Sequence, residues 1–276
     1  MRCAVLGDPI AHSLSPVLHR AGYEAVGLDW TYDAVRVASG GLADFVSGLD
    51  EGWRGLSVTA PLKREALLRA SVVSDRAALA GAANTLVLTG GPGGEVHADN
   101  TDLPGAVAAV RERYDGPVAA ATILGAGATA ASTGLALAEL GATHVRLLAR
   151  DRVRAAETAA AIERHPGGVQ VEVVPLRSAT VLGDVVVSTV PAGAQVADLV
   201  DRCATASVVF EVLYDPWPTP LAEAATGRGQ ALVGGLDLLV HQAALQFLAF
   251  TGVAAPLDVM REAGEAALRR SGSSDE

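Results

Sequence analysis

The segment that most narrows the possible folds is residues 119–150, AAATILGAGATAASTGLALAELGATHVRLLAR. An apolar run ending at Leu124 leads into a glycine-rich turn, a stretch of helical period and a second apolar run. Strand, turn, helix and strand make a βαβ unit, and a G-x-G-x-x-A turn inside one is the fingerprint of a dinucleotide-binding loop. Gly125 permits the sharp turn and Gly127 lets the backbone approach a pyrophosphate. Ala126, Ala128, Thr129 and Ala130 complete the loop and open the helix, whose N–H groups and positive dipole end face the anion in this reading. The same residues also admit a plain glycine turn with no ligand.

The end of the second strand separates two cofactors. An acidic residue there accepts from the ribose 2′-hydroxyl of NAD, whereas arginine accommodates the 2′-phosphate of NADP. Here the strand ends at Leu148-Ala149-Arg150, and Arg154 follows in the first turn of the next helix, within reach of the same phosphate. Asp151 reads as that helix's N-cap. The pattern predicts NADP(H).

The remaining chain repeats the alternation. Strands are predicted over 3–6, 31–37, 55–58, 85–88, 118–124, 144–148, 169–174, 185–188 and 208–212. Helices are predicted over 15–26, 41–49, 63–70, 102–113, 127–140, 152–164, 236–250 and 256–270. Strands separated by helices of this length argue for an α/β fold with largely parallel sheets. The pattern restarts near residue 118, after the turn signal Tyr114-Asp115-Gly116-Pro117, so two α/β domains are expected.

Composition removes several function classes. Of 276 residues, 50% are hydrophobic and 19% charged, enough for a large core and too apolar for general disorder. The balance of 31 acidic against 21 basic residues, with no basic patch, makes a nucleic-acid partner unexpected. Cys3 and Cys203, far apart, imply neither a disulfide framework nor a zinc site, and no metal is predicted. Residues 231–257 invite a membrane reading, but Asp237, His241 and Gln242 lie inside them and glycines interrupt them, so a buried helix is expected. Met1 runs straight into a strand-like RCAVLG with no signal-peptide pattern, and the expected location is cytoplasmic. The expected partner is a small molecule, and the expected state a monomer or homodimer.

Four polar clusters stand near predicted strand ends: His12-Ser13-Leu14-Ser15-Pro16, Ser57 to Lys63, Gly81 to Thr85, and Ala98 to Asp102. Ligands of open α/β sheets bind beyond the strand ends. Hydroxyls, an amide, an ammonium and a carboxylate together suit a small polyhydroxylated acid. Taken singly, each admits a structural role: Ser13 or Ser15 as helix cap, Asn84-Thr85 as a turn, Asp102 as N-cap, Lys63 as a surface lysine.

In this order the clusters resemble the shikimate dehydrogenase family. The matching motifs are GDPIAHSLSP, SVTAPLK, GAANT, DNTD, the GAGA loop, YDPWPTPL and GGLDLLVHQA, spread from Gly7 to Ala243. The resemblance implies NADPH-dependent, reversible reduction of 3-dehydroshikimate to shikimate in aromatic amino-acid biosynthesis. It implies a discontinuous substrate-binding domain, 1–100 plus 237–276, and a Rossmann-like NADP-binding domain, 101–236. It makes Lys63 and Asp102 the catalytic pair; apart from the resemblance, His12 beside the serines is a lesser candidate acid. Ser13 and Ser15 would hold the substrate carboxylate, with Tyr214 and Thr59 nearby; Ser57, Asn84, Asp102 and Gln242 would serve the ring hydroxyls. Thr189, Val190, Gly235 and Leu238 would flank the nicotinamide. The chain departs from the family at Ser57, usually asparagine, at Ala128 in the loop, and at Glu211, Asp237 and Leu238. Two competing readings stand beside this one. An NAD-dependent quinate/shikimate dehydrogenase is disfavoured by Ser15, which some quinate-acting relatives replace with threonine. A non-catalytic NADP-binding regulator is disfavoured by the presence of Lys63, Asp102 and Gln242.

Overall fold

The structure is a computed structural model that describes residues 1–90 and 93–272; the side chains of Arg154, Ser271 and Gly272 fall outside the described residues. In chain order the elements are β1 (Arg2–Gly7), α1 (Ser15–Ala25), β2 (Thr31–Arg36), α2 (Leu42–Ser47), β3 (Trp53–Val58), α3 (Lys63–Arg69), β4 (Val72–Val73), α4 (Asp75–Ala80), β5 (Thr85–Leu88) and β6 (Val96–Asp99). They continue with α5 (Asp102–Arg113), β7 (Ala120–Leu124), α6 (Ala128–Glu139), β8 (His144–Ala149), α7 (Arg152–Glu163), β9 (Gln170–Pro175) and β10 (Val185–Ser188). The last are α8 (Ala197–Arg202), β11 (Val208–Glu211), α9 (Pro220–Gly227), β12 (Ala231–Val233), α10 (Gly235–Thr251) and α11 (Leu257–Gly272). The chain divides into two compact units, Met1–Thr101 with Leu239–Glu276, and Asp102–Leu238.

The first unit holds a sheet of order β2-β1-β3-β5-β6-β4. β1 runs parallel to β2 and β3, and β4 parallel to β6, whereas β5 is antiparallel to both β3 and β6. The connection from Leu88 to Val96 is too short for a crossover helix, which leaves a hairpin as the only pairing open to β5 and β6. Leu6, Leu56, Val58, Leu62 and Leu86 pack with Ala66 and Ala98 into an apolar core. A second core is aromatic. The His19 imidazole is fully buried and stacks on Tyr32, centroids 4.1 Å apart and planes 8° from parallel, with Tyr23, Phe247 and Phe250 around it. Burial pushes the His19 pKa down to about 3; Gln246 lies close enough to oppose this a little, yet neither ring nitrogen has a partner in hydrogen-bonding geometry among the described residues. His19 is therefore a neutral ring at ordinary pH.

The second unit is an all-parallel sheet of order β12-β11-β10-β7-β8-β9. Counted from β7, this is the doubly wound dinucleotide-binding order, with the switch in winding between β7 and β10. Helices on both faces require strands that are apolar throughout, and β10 and β11 are buried at every position. In the first turn of α10 the Asp237 carboxylate accepts from Gly234 N at 2.9 Å and pairs with Arg113 at 2.8 Å. Among the described residues no helix is long and apolar enough to cross a membrane.

Candidate active site

Strand direction sets the site in the first unit. β1, β3 and β6 share one direction and β5 opposes them, so the ends of β1, β3 and β6 and the start of β5 lie on one edge. Ser13 and Ser15 follow β1, Thr59 and Lys63 follow β3, Asn84 precedes β5, and Thr101 follows β6. Four separate sequence clusters thus reach one sheet edge.

Ser15 opens α1 with Pro16 in the first turn, and no side chain caps the helix. The hydroxyl of Ser13 accepts only a long contact, 3.4 Å, from Ser15 N. The cap role open to these serines is therefore weak, and the helix start keeps N–H donors for a carboxylate. Thr59 is half-buried and its N–H bonds Leu6 O at 2.8 Å. Lys63 is the first residue of α3 and is 8% exposed, not a surface lysine. Its carbonyl accepts from Ala83 N at 2.8 Å, which ties the start of α3 to the Asn84 turn.

Asn84 is the hub, and it is buried. Its Nδ2 donates to Thr101 Oγ1 at 2.9 Å and to Gln242 Oε1 at 3.1 Å. Its Oδ1 accepts from Thr101 N and from the Thr85 hydroxyl, both at 2.8 Å. Gln242 donates to Leu239 O at 3.0 Å. Ser57, also buried, accepts from Tyr32 Oη at 2.5 Å and donates to Gln246 Oε1 at 2.7 Å. Asp102, 6% exposed, opens α5 in the second unit and follows Thr101 directly in the chain.

In the second unit the glycine loop follows β7. Gly125 has φ +108, and a Cβ there would lie 2.2 Å from Thr189 Oγ1, so only glycine fits. Thr189 N and Oγ1 both bond Leu124 O at 2.9 Å, bringing the segments after β7 and β10 together at the switch point. Gly127 caps α6 with extended backbone and no side-chain cap, and a Cβ there would meet nothing within 4 Å. Open space before an uncapped helix start is what a pyrophosphate requires, so the loop from Gly125 through Ala126, Gly127, Ala128 and Thr129 to Ala130 fits a dinucleotide. Thr158 Oγ1 pins that loop by donating to Ala126 O at 2.9 Å.

Arg150 is exposed just after β8, and Asp151 Oδ1 accepts from Val153 N at 2.9 Å, the N-cap role expected of it. The side chain of Arg154 lies outside the described residues. Val190 and Leu238 are buried in apolar packing, and a Cβ on Gly235 would meet backbone atoms of Val212 and Leu213 at 2.5 Å. Tyr214 is half-buried in the segment after β11. Glu211 ties down both flanks of Tyr214, accepting from Leu213 N at 3.1 Å and Thr219 Oγ1 at 2.9 Å, and it also accepts from Gln195. Burial raises the Glu211 pKa, and these hydrogen bonds offset only part of the rise.

Thr101, Glu211 and Gln246 were not singled out as site residues from the sequence. A readable signal existed for Gln246, since it stands four residues after Gln242 on one helix and so on the same face.

Two family models match the chain, "Shikimate dehydrogenase substrate binding domain" over residues 5–86 and "Shikimate 5'-dehydrogenase C-terminal domain" over residues 235–263. The chain is 39% identical to a shikimate dehydrogenase (NADP(+)) of Dinoroseobacter shibae over 260 residues, covering 90% of this chain and 91% of that protein. The crystal structure of Mycobacterium tuberculosis shikimate dehydrogenase superposes with TM-score 0.87 at 40% identity, over 96% of this chain and 99% of the other. The Thermus thermophilus shikimate 5-dehydrogenase, solved with NADP(H) and shikimate, superposes with TM-score 0.81 at 29% identity, over 97% and 99% of the two chains.

Proposed function

The chain belongs to the shikimate dehydrogenase family, and on that premise we propose that it catalyses the NADPH-dependent, reversible reduction of 3-dehydroshikimate to shikimate. The observation that carries this is the buried cluster of Asn84, Thr101 and Gln242, which gathers amides and a hydroxyl on the sheet edge shared by Ser15 and Lys63. Such a set suits a ligand with several hydroxyls, and because its groups already pair with one another, a ligand hydroxyl at Asn84 takes the place of one of these bonds.

In this proposal the first unit takes the substrate and the second the cofactor. Ser13 and Ser15, with the start of α1, hold the carboxylate, aided by Thr59 and Tyr214. Asn84, Gln242 and Asp102 hold ring hydroxyls, with Ser57 behind them. The loop Gly125–Ala130 receives the pyrophosphate, and Arg150 with Arg154 the 2′-phosphate. Thr189, Val190, Gly235 and Leu238 flank the nicotinamide. When bound, NADPH supplies the hydride that the ketone carbon requires. The ketone oxygen then needs a proton, and Lys63 Nζ gives it; in the reverse direction Lys63 Nζ takes it from the alcohol. Asp102 is the second member of the catalytic pair, its carboxylate accepting from a substrate hydroxyl and so orienting the ring.

Product analysis tests the assignment. With 3-dehydroshikimate and NADPH, shikimate is expected to form in step with NADPH consumed, one for one. NADPH left unconsumed, or consumed without shikimate appearing by chromatography, contradicts it.

A further inference from the structure

We propose that Gln246 is a positioning residue for substrate recognition: it ties a buried hydrogen-bond chain that begins at Tyr32 to the hydroxyl-binding amides of Asn84 and Gln242. The inference rests on the proposed function above and concerns residues without direct access to ligand, since Tyr32 is fully buried and Gln246 is 1% exposed.

Every link in this chain has one direction. Burial raises the Tyr32 pKa, so its phenol stays protonated, and it donates to Ser57 Oγ at 2.5 Å. A hydroxyl has one proton, and that of Ser57 goes to Gln246 Oε1 at 2.7 Å. Gln246 Oε1 is thereby the acceptor, and Nε2 faces the other way. It donates to Asn84 O and to Thr85 Oγ1, both at 3.0 Å. Because Thr85 Oγ1 accepts there, its single proton points to Asn84 Oδ1 at 2.8 Å. Asn84 Nδ2 then faces Gln242 Oε1 at 3.1 Å, and Gln242 turns its Nε2 to Leu239 O at 3.0 Å. The amide of Gln242 is thus set with its oxygen toward Asn84 and its nitrogen toward Leu239 O, a bond that uses one of the two Nε2 protons. Backbone groups fix the direction at the middle of the path, since Asn84 O can only accept, from Gln246 Nε2, and Thr101 N can only donate, to Asn84 Oδ1 at 2.8 Å. A fully satisfied buried network of this kind holds one arrangement of its amides, and partial loss frees the others to turn.

Gln246→Met keeps the length of the side chain and removes its polar end. The affinity of the cofactor-free protein for shikimate, measured by calorimetry, is expected to fall roughly tenfold, the worth of one lost buried hydrogen-bond partner. NADP affinity is expected to stay within twofold. The deciding readout is the preference for shikimate over analogues lacking one non-reacting ring hydroxyl. A positioning role predicts that this preference shrinks, because the amides that read the hydroxyl are no longer aligned. A merely structural role predicts equal weakening of shikimate and its analogues. Tyr32→Phe, which keeps the stack on His19 and removes the hydroxyl that meets Ser57 and Ser15, is the second variant, with the same loss of preference expected at smaller size. It decides the matter where Gln246→Met does not fold. An unchanged preference in a folded variant overturns the positioning role. Wild-type protein that neither binds nor turns over shikimate overturns instead the function on which the inference rests.

Discussion

Lys63→Met is expected to lower kcat by about 10² to 10⁴, the usual cost of losing a positioned proton donor. The loss should appear equally for ketone reduction and alcohol oxidation, because one group serves both directions. NADP binding should be intact and shikimate binding changed modestly, since methionine keeps much of the side chain's bulk. The structure gives this prediction its footing. Lys63 is 8% exposed at the first turn of α3, and its carbonyl is tied to Ala83 N, one residue before the Asn84 hub. A solvated lysine with no role predicts an unchanged rate. Steady-state kinetics in both directions separate the two, and a variant retaining most of its kcat would leave Asp102 or a water molecule as the proton carrier.

The second large effect concerns stability. Folding keeps His19 neutral by burial, with its pKa pushed down to about 3 from the ordinary 6.5. Above the ordinary value both folded and unfolded chains hold the ring neutral, and pH has no effect through it. Below it the unfolded chain binds a proton that the folded chain refuses, so stability is lost as pH falls toward the folded value. One proton of difference changes the unfolding equilibrium about tenfold per pH unit, or about a hundredfold over two units below the ordinary pKa. His19→Phe, which retains a ring to stack on Tyr32, should lack this component. Urea unfolding of both proteins at pH 7 and 4.5 checks it, since carboxylate effects are common to both and cancel in the difference. Equal acid sensitivity in the two proteins would contradict the prediction.

Elements marked by an apolar run or a clear helical period were legible. β5, β10 and α5 begin and end where the pattern places them, and Asp151 caps α7 as its position ahead of a helical run implies. The elements that escaped are short. β4 has two residues and β12 three, too few for alternation to register; α4 and α8 have six residues each and α9 eight, little over two helical turns. β6 escaped for a different reason: Val96–Asp99 carries His97 and Asp99, and its pairing with β5 is set by a hairpin and not by apolar content.

The site divides along a similar line. Ser13, Ser15, Lys63, Asn84 and Asp102 fall in short motifs at strand ends, where chain order alone brings them to notice. The Tyr32, Ser57 and Gln246 path joins residues more than two hundred positions apart at its extremes, Tyr32 and Gln246, and no local pattern announces it. His19 was equally silent, because a histidine inside an amphipathic helix looks the same in sequence whether it faces water or an aromatic core. Glu211 could be read only as a residue ending a strand; its hold on both flanks of Tyr214 is a tertiary fact.

The measurement that tests the central claim most directly is kcat/KM for shikimate and for quinate, each with NADP and with NAD. Arg150 after β8, with no carboxylate ending that strand, and Ser15 at the start of α1 predict that shikimate with NADP is the best pair. A charge-assisted contact of about 1.5–3 kcal/mol to the 2′-phosphate corresponds to a preference of at least about tenfold for NADP. Equal efficiency with the two cofactors, or quinate with NAD as the best pair, would contradict the account.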